Sequence, residues 1–224
     1  MNSNCSGNPV LLIHGIFRKS GIFNKMSSHL TQLGWSVHSL DLAPNWGNAS
    51  LEELAQQLAD YIDTNFDPEQ PLDLVGLSMG GLVTRYYLQR LGGINRVQRF
   101  IAISSPHSGT WTAYTLWGKG CVQMRPGSDF LEDLNGDASV LEKLNFTSIW
   151  TPWDFIIVPA SSSQISAAKD VRLSVFAHAM MARDSSSLKA VAEALSEPLK
   201  NHNSDHMAVE TASTQTMSAS ADSR

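Results

Sequence analysis

Short apolar runs alternate with helical periodicities along most of the chain. PVLLIH at 9–14 precedes a helical pattern over 20–33, WSVHSLDL at 35–42 precedes SLEELAQQLADYIDTNF at 50–66, and LDLVGL at 72–77 runs straight into a third helical pattern just beyond Ser78. VQRFIAIS at 97–104, FTSIW at 146–150 and RLSVFAH at 172–178 continue the series, and an amphipathic helix over 185–199 closes it. Runs that are apolar on both faces and separated by helices are strands covered from both sides. The pattern therefore predicts an α/β fold: one domain over 1–200 with a mostly parallel central sheet of about six strands and helices on both faces.

Two regions leave this rhythm. The stretch at about 106–145 is too long for an ordinary connection and carries Trp111, Tyr114, Leu116 and Trp117 in its first part. It is expected to be a lid-like insertion with short helices of its own, lying over the ends of the strands, its aromatic residues forming either the wall of a pocket or a small private core. The segment 201–224 is polar, rich in serine and threonine and without periodicity, and is expected to be a disordered tail. No internal repeat is present.

Composition narrows the classes of function. A chain of 224 residues, 42% hydrophobic, can bury a full core. A net charge of -5, with no cluster of arginine and lysine, argues against a nucleic-acid partner. No segment has the basic start, apolar stretch and cleavage site of a secretory signal, and none is apolar for long enough to span a bilayer, so a cytoplasmic monomer is expected. Cys5 and Cys121 have neither metal nor redox spacing and read as free thiols.

The candidate chemistry lies in LVGLSMGGLV. A strand that turns into a helix through one residue forces that residue into a crowded conformation, and Gly76 and Gly80 remove the side chains that would collide around it. The Ser78 hydroxyl is thereby lifted clear at the carboxyl end of the strand, where the first helix amides face it: the G-x-S-x-G arrangement of a nucleophile. A serine needs a base, and the base needs a carboxylate to orient it. In this architecture the acid and then the histidine follow the serine, each in a loop after a later strand. Asp154 and His178 meet that requirement. Asp184, at the expected N-cap of the last helix, is the rival acid.

The other candidates read differently. His14 and His107 precede the acid and are expected to brace loops or line the site; His29 and His38 fall in a helix and a strand; His202 and His206 lie in the tail without a third metal ligand. Two backbone amides should stabilise an oxyanion, one from Met79 and one from the loop after the first strand, where Gly15 permits a close approach and Ile16 is preferred over Phe17 as donor.

With these residues placed, the chain resembles the small bacterial triacylglycerol lipase and esterase group of the α/β-hydrolase superfamily. LLIHGI, GLSMGGLVTRYYL, ISSPHSGT, MRPGSDFLEDLN and TSIWTPWDFIIVP carry the resemblance, together with the histidine before the closing helix. It implies Ser78 as nucleophile, Asp154 as orienting acid, His178 as base, and Ile16 with Met79 as oxyanion donors. Arg85 corresponds to the family's structural arginine. Two departures stand out: Phe17, Arg18 and Lys19 replace small residues common after HGI, and Ala177 stands where glycine often precedes the histidine.

The expected activity is hydrolysis of hydrophobic carboxylic esters through an acyl-enzyme, with no cofactor and no metal. Phe17, His107 and Trp111 are expected to contact the substrate, and peripheral contact with a lipid interface is expected to accompany it. Acyl transfer to an alcohol or amine through the same intermediate, or a ligand-binding protein that has lost its chemistry, are the alternatives.

Overall fold

The computed structural model describes residues 7–200. The expectations for the tail at 201–224, with His202 and His206, and for Cys5 lie outside the described residues. Six strands form one sheet: β1 (Val10–Ile13), β2 (Val37–Leu40), β3 (Leu72–Leu77), β4 (Val97–Ile103), β5 (Asn145–Trp150) and β6 (Lys169–Arg172). Their order is β2-β1-β3-β4-β5-β6 and every pairing is parallel. All carboxyl ends therefore open on one edge, where an open parallel sheet collects its functional loops.

The helices are α1 (Asn24–Gln32), α2 (Leu51–Asn65), α3 (Met79–Arg90), α4 (Lys119–Gln123), α5 (Asp129–Gly136) and α6 (Ser185–Ser196). Alternation along the strands sends side chains into two cores. Leu11, Ile13, Leu74, Phe100 and Phe146 pack with α2, α3 and α5 on one face. Val10, Leu12, Val75, Ile101 and Ile149 pack with α1 and α6 on the other. In α2 the buried Leu51, Leu54, Ala55, Leu58 and Ile62 trace one helical face. Ser50 and Glu53 cap its start reciprocally, at 3.2 Å and 2.8 Å.

Three expectations change. The last strand is Lys169–Arg172 rather than 172–178, because a short edge strand of charged, mostly exposed residues has no apolar pattern to reveal it. The apolar alternation just after it belongs to a loop that buries Val175 and leaves Phe176 in solvent. The helical pattern over 20–33 begins as a 3-10 turn, Ser20–Phe23, before α1.

The insertion is not a separate layer. Phe130, Leu131, Leu134 and Leu141 join the main core. The fully buried Arg85 ties α3 to α5 by donating to the Leu134 carbonyl at 2.7 Å and to Asn135 Oδ1 at 3.0 Å. Burial lowers the Arg85 pKa to about 10, so the guanidinium stays charged as a brace. Trp111, Tyr114 and Trp117 form no private core: all three are exposed.

Candidate active site

The turn between β3 and α3 holds Ser78 at φ 55° and ψ -123°, a conformation that is costly for a residue with a Cβ. The Ser78 N–H still bonds the Ile103 carbonyl at 2.8 Å, which anchors the strained residue to the sheet. A Cβ on Gly80 would lie 2.2 Å from the Ile13 carbonyl oxygen, and one on Gly76 would lie 2.6 Å from Gly81 Cα. Glycine at both positions lets α3 start against β1 and β3.

Asp154 leaves the loop after β5 and is almost fully buried. Its Oδ1 accepts the Ile156 and Ile157 amides, both at 2.9 Å, and its Oδ2 accepts His178 Nδ1 at 2.7 Å. Burial pushes its pKa up, but the His178 hydrogen bond and charge and the two amides outweigh it, so the carboxyl lies below its ordinary value. With Nδ1 donating to that carboxylate, a neutral His178 ring carries an unprotonated Nε2, which has no hydrogen-bond partner among the described residues. Asp184 is elsewhere engaged: its Oδ1 accepts the Ser186 amide at 2.9 Å and caps α6.

Ser78 and His178 line the same pocket of about 130 Å³, together with Gly15, Ile16, Phe17 and Ile156. The Phe17 N–H donates to the Asn45 carbonyl at 2.9 Å, whereas the Ile16 N–H has no such partner among the described residues. Asn45 Nδ2 in turn donates to the Arg18 carbonyl, so one buried residue clamps the loop at two points. Met79 is the first residue of α3, where an amide has no carbonyl of its own helix to bind. Both amides are thus available to an anion, the second with the helix dipole behind it. The clamp on this loop has no local sequence pattern, because Asn45 follows a different strand.

His14 sits beneath the loop. The Leu42 N–H donates to its Nε2 at 2.9 Å, so the ring proton is on Nδ1 and is donated to the Gly15 carbonyl at 2.9 Å. Burial lowers its pKa and favours this neutral form.

Two expected substrate contacts are not among the lining residues. His107 is 1% exposed, its ring edge-on to Phe146 with centroids 5.9 Å apart, and burial holds its pKa well down. It belongs to the core because its loop dives under α5, whose Asn135 Nδ2 donates to the His107 carbonyl at 3.1 Å. Trp111 stacks on Tyr114 at 5.4 Å in a 3-10 turn, Trp111–Thr115, and faces solvent beside the 156–158 loop. Phe17 does line the pocket; its φ of 56° goes with the tight turn it makes there.

Ala177, the residue before His178, has a φ of 73°. That is a left-handed conformation glycine adopts freely, and an alanine there is strained. A wider groove of about 1010 Å³, lined by Trp35, Arg99 and Glu197, lies away from Ser78 at the amino ends of the strands. No cluster of three potential metal ligands occurs among the described residues.

A family model described as palmitoyl protein thioesterase matches residues 9–153. Among solved structures, a lipase of Bacillus licheniformis in its mature form superposes with a TM-score of 0.71 at 14% identity, covering 84% of this chain and 92% of that one. Lipase B of Aspergillus fumigatus gives a TM-score of 0.74 at 21% identity over 91% of this chain, which spans only 56% of that longer protein. A pyrethroid hydrolase of Sphingobium faniae gives 0.59 at 16% identity, covering 86% and 99%. At these identities the structures share the α/β-hydrolase fold with this chain.

Proposed function

The chain belongs to the palmitoyl protein thioesterase family, and on that premise we propose that it is a serine hydrolase of hydrophobic carboxylic esters. Ser78 Oγ attacks the ester carbonyl while His178 Nε2 takes its proton, and Asp154 holds the ring in the required tautomer and offsets its developing charge. The tetrahedral oxyanion sits on the Ile16 and Met79 amides. His178 returns the proton to the departing alcohol, leaving an acyl group on Ser78. A water then attacks that acyl group with the same base assisting, and the acid leaves with Ser78 restored.

The observation that carries this reading is the 2.7 Å contact between His178 Nδ1 and Asp154 Oδ2, with His178 and Ser78 lining one pocket. Strain at Ser78 and the available Ile16 amide support it. The family match also favours a thioester reading: the steps are the same, with a thiolate as the better leaving group. Acyl transfer to an alcohol shares the intermediate and differs only in the final acceptor.

The test is turnover of p-nitrophenyl esters and an S-acyl thioester by the wild type and by Ser78→Ala. Loss of several orders of magnitude in kcat for both substrates, with the fold intact by circular dichroism, is expected. Near-normal turnover by Ser78→Ala would remove the mechanism. A strong preference for the thioester would narrow the substrate class.

A further inference from the structure

The exposed apolar surface is distributed very unevenly. Of the fourteen large apolar side chains left exposed by the described residues, all but Leu33 and Leu199 lie in the stretches directly beyond the carboxyl ends of β1 (14–23), β2 (41–50), β4 (104–128), β5 (151–168) and β6 (173–184). Trp117 is 87% exposed, Phe176 71% and Trp46 64%. An ordinary soluble surface scatters such residues singly, whereas a concentration of this kind marks a contact.

The segments form one surface. The Gly120 N–H donates to the Gly47 carbonyl at 3.0 Å, which sets the Trp46 turn beside Trp117. Thr112 Oγ1 donates to the Ile156 carbonyl at 2.6 Å and the Trp111 N–H to the Val158 carbonyl at 2.9 Å, joining the loops after β4 and β5. Phe155 and Phe176 meet edge to face at 6.1 Å, joining the loops after β5 and β6. Asn45 ties the Trp46 turn to Phe17 at the pocket mouth.

Charge selects the occupant. The chain as a whole carries 21 acidic and 16 basic residues. The stretches next to the strand ends, 14–23, 41–50, 104–128, 151–168 and 173–184, contain Arg18, Lys19, Lys119, Arg125 and Arg183 against the carboxylates Asp41, Asp154 and Asp184, whereas the acidic Glu52, Glu53, Asp129, Glu132 and Asp133 begin only with α2 and α5. Asp154 is buried on His178, and Asp41 and Asp184 bind the backbone amides of Ser20 and Ser186. The edge is therefore aromatic and cationic on an acidic protein. Indole and phenol rings suit the boundary between headgroup and acyl chain, and lysine and arginine suit anionic headgroups.

We infer that the carboxyl edge of the sheet docks on the surface of an anionic lipid bilayer, with Trp46, Trp117 and their neighbours inserted around the mouth of the Ser78 pocket. The inference rests on the hydrophobic-ester reading of that pocket for its purpose. A site of about 130 Å³ is smaller than the roughly 300–1,000 Å³ of most ligand pockets. A long acyl chain must therefore lie largely outside it, over Phe17 and Ile156, where a bilayer already keeps water away.

Flotation with vesicles of phosphatidylcholine alone or mixed with phosphatidylglycerol tests this, using the Ser78→Ala protein so that binding is read apart from turnover. Flotation with the mixed vesicles, weakened by salt, is expected, with a blue shift of tryptophan fluorescence. Trp46→Ser combined with Trp117→Ser should lower vesicle affinity roughly tenfold or more and leave hydrolysis of a short soluble ester unchanged in the Ser78 background. Lys119→Glu should weaken binding to the mixed vesicles alone.

No flotation at low salt, flotation that the double variant retains, or equal binding to neutral vesicles overturns the inference. So does a concentration-dependent dimer that the double variant dissolves while vesicles are ignored; that result gives the face to a second copy. A wild type that floats but hydrolyses no ester refutes the proposed function and leaves the surface standing.

Discussion

Asp154→Asn separates the two tasks of one buried carboxylate. Oδ1 accepts the Ile156 and Ile157 amides, and an asparagine oxygen takes over both bonds. Oδ2 accepts His178 Nδ1 at 2.7 Å, and an amide nitrogen there is a donor facing a donor. The ring is relieved by moving its proton to Nε2, the nitrogen that must act as base. The expected cost is about 10⁴-fold in kcat, or roughly 5.4 kcal/mol in the barrier, with KM little changed. Stability should fall by only ~1 kcal/mol, the difference between a charge-assisted and a neutral hydrogen bond. Asp184→Ala should do the reverse, removing the cap of α6 at about 0.5–2 kcal/mol of stability while kcat holds. Steady-state kinetics on a soluble p-nitrophenyl ester and thermal melts of both variants provide the readout. A kcat for Asp154→Asn within tenfold of wild type, or a larger loss at Asp184, refutes the assignment. The acid limb supplies a second check. The folded pKa of Asp154 lies below its ordinary 3.8, so its ionised form adds stability that is fully present above that value and lost as pH falls through the lower, folded one. The Asn variant should lack that share of the acid-side drop in melting temperature.

Three further substitutions probe the geometry. Ala177→Gly removes a Cβ from a residue at φ 73°; relief of about 1–2 kcal/mol, less about 0.4–1 for the greater freedom of the unfolded chain, should raise Tm by a few degrees, and a lower Tm would contradict the strain. Asn45→Ala frees the Arg18 carbonyl and loosens the loop that carries the Ile16 amide; kcat should fall while KM stays within about twofold, the loss bounded by the roughly 2.7–4 kcal/mol that one oxyanion donor provides, and an effect on KM alone would show that Asn45 does not act through that donor. Gly80→Ala drives a Cβ to 2.2 Å from the Ile13 carbonyl oxygen, so a destabilisation of about 1–3 kcal/mol or more with loss of activity is expected; an active, equally stable protein would mean that α3 can move away from β1 without penalty.

Local physics wrote much of this protein into its sequence. Apolar runs long enough for a strand, the helical spacing of α2, and a serine flanked by Gly76 and Gly80 all report on neighbours within a few residues, where sterics and periodicity act directly. They were sufficient to predict a parallel α/β sheet and to single out Ser78. The tertiary structure decided what depends on loops separated along the chain and joined only at one edge of the sheet. Charged, exposed β6 had no apolar pattern to betray it. His107 and Trp111 were expected to contact the substrate, yet burial under α5 takes the first from the pocket and a tie to the 156–158 loop turns the second to solvent. Which carboxylate meets His178, how Asn45 grips the loop beyond β1, and how five segments gather their aromatic and basic residues on one surface follow from packing over long separations, which no window along the chain contains.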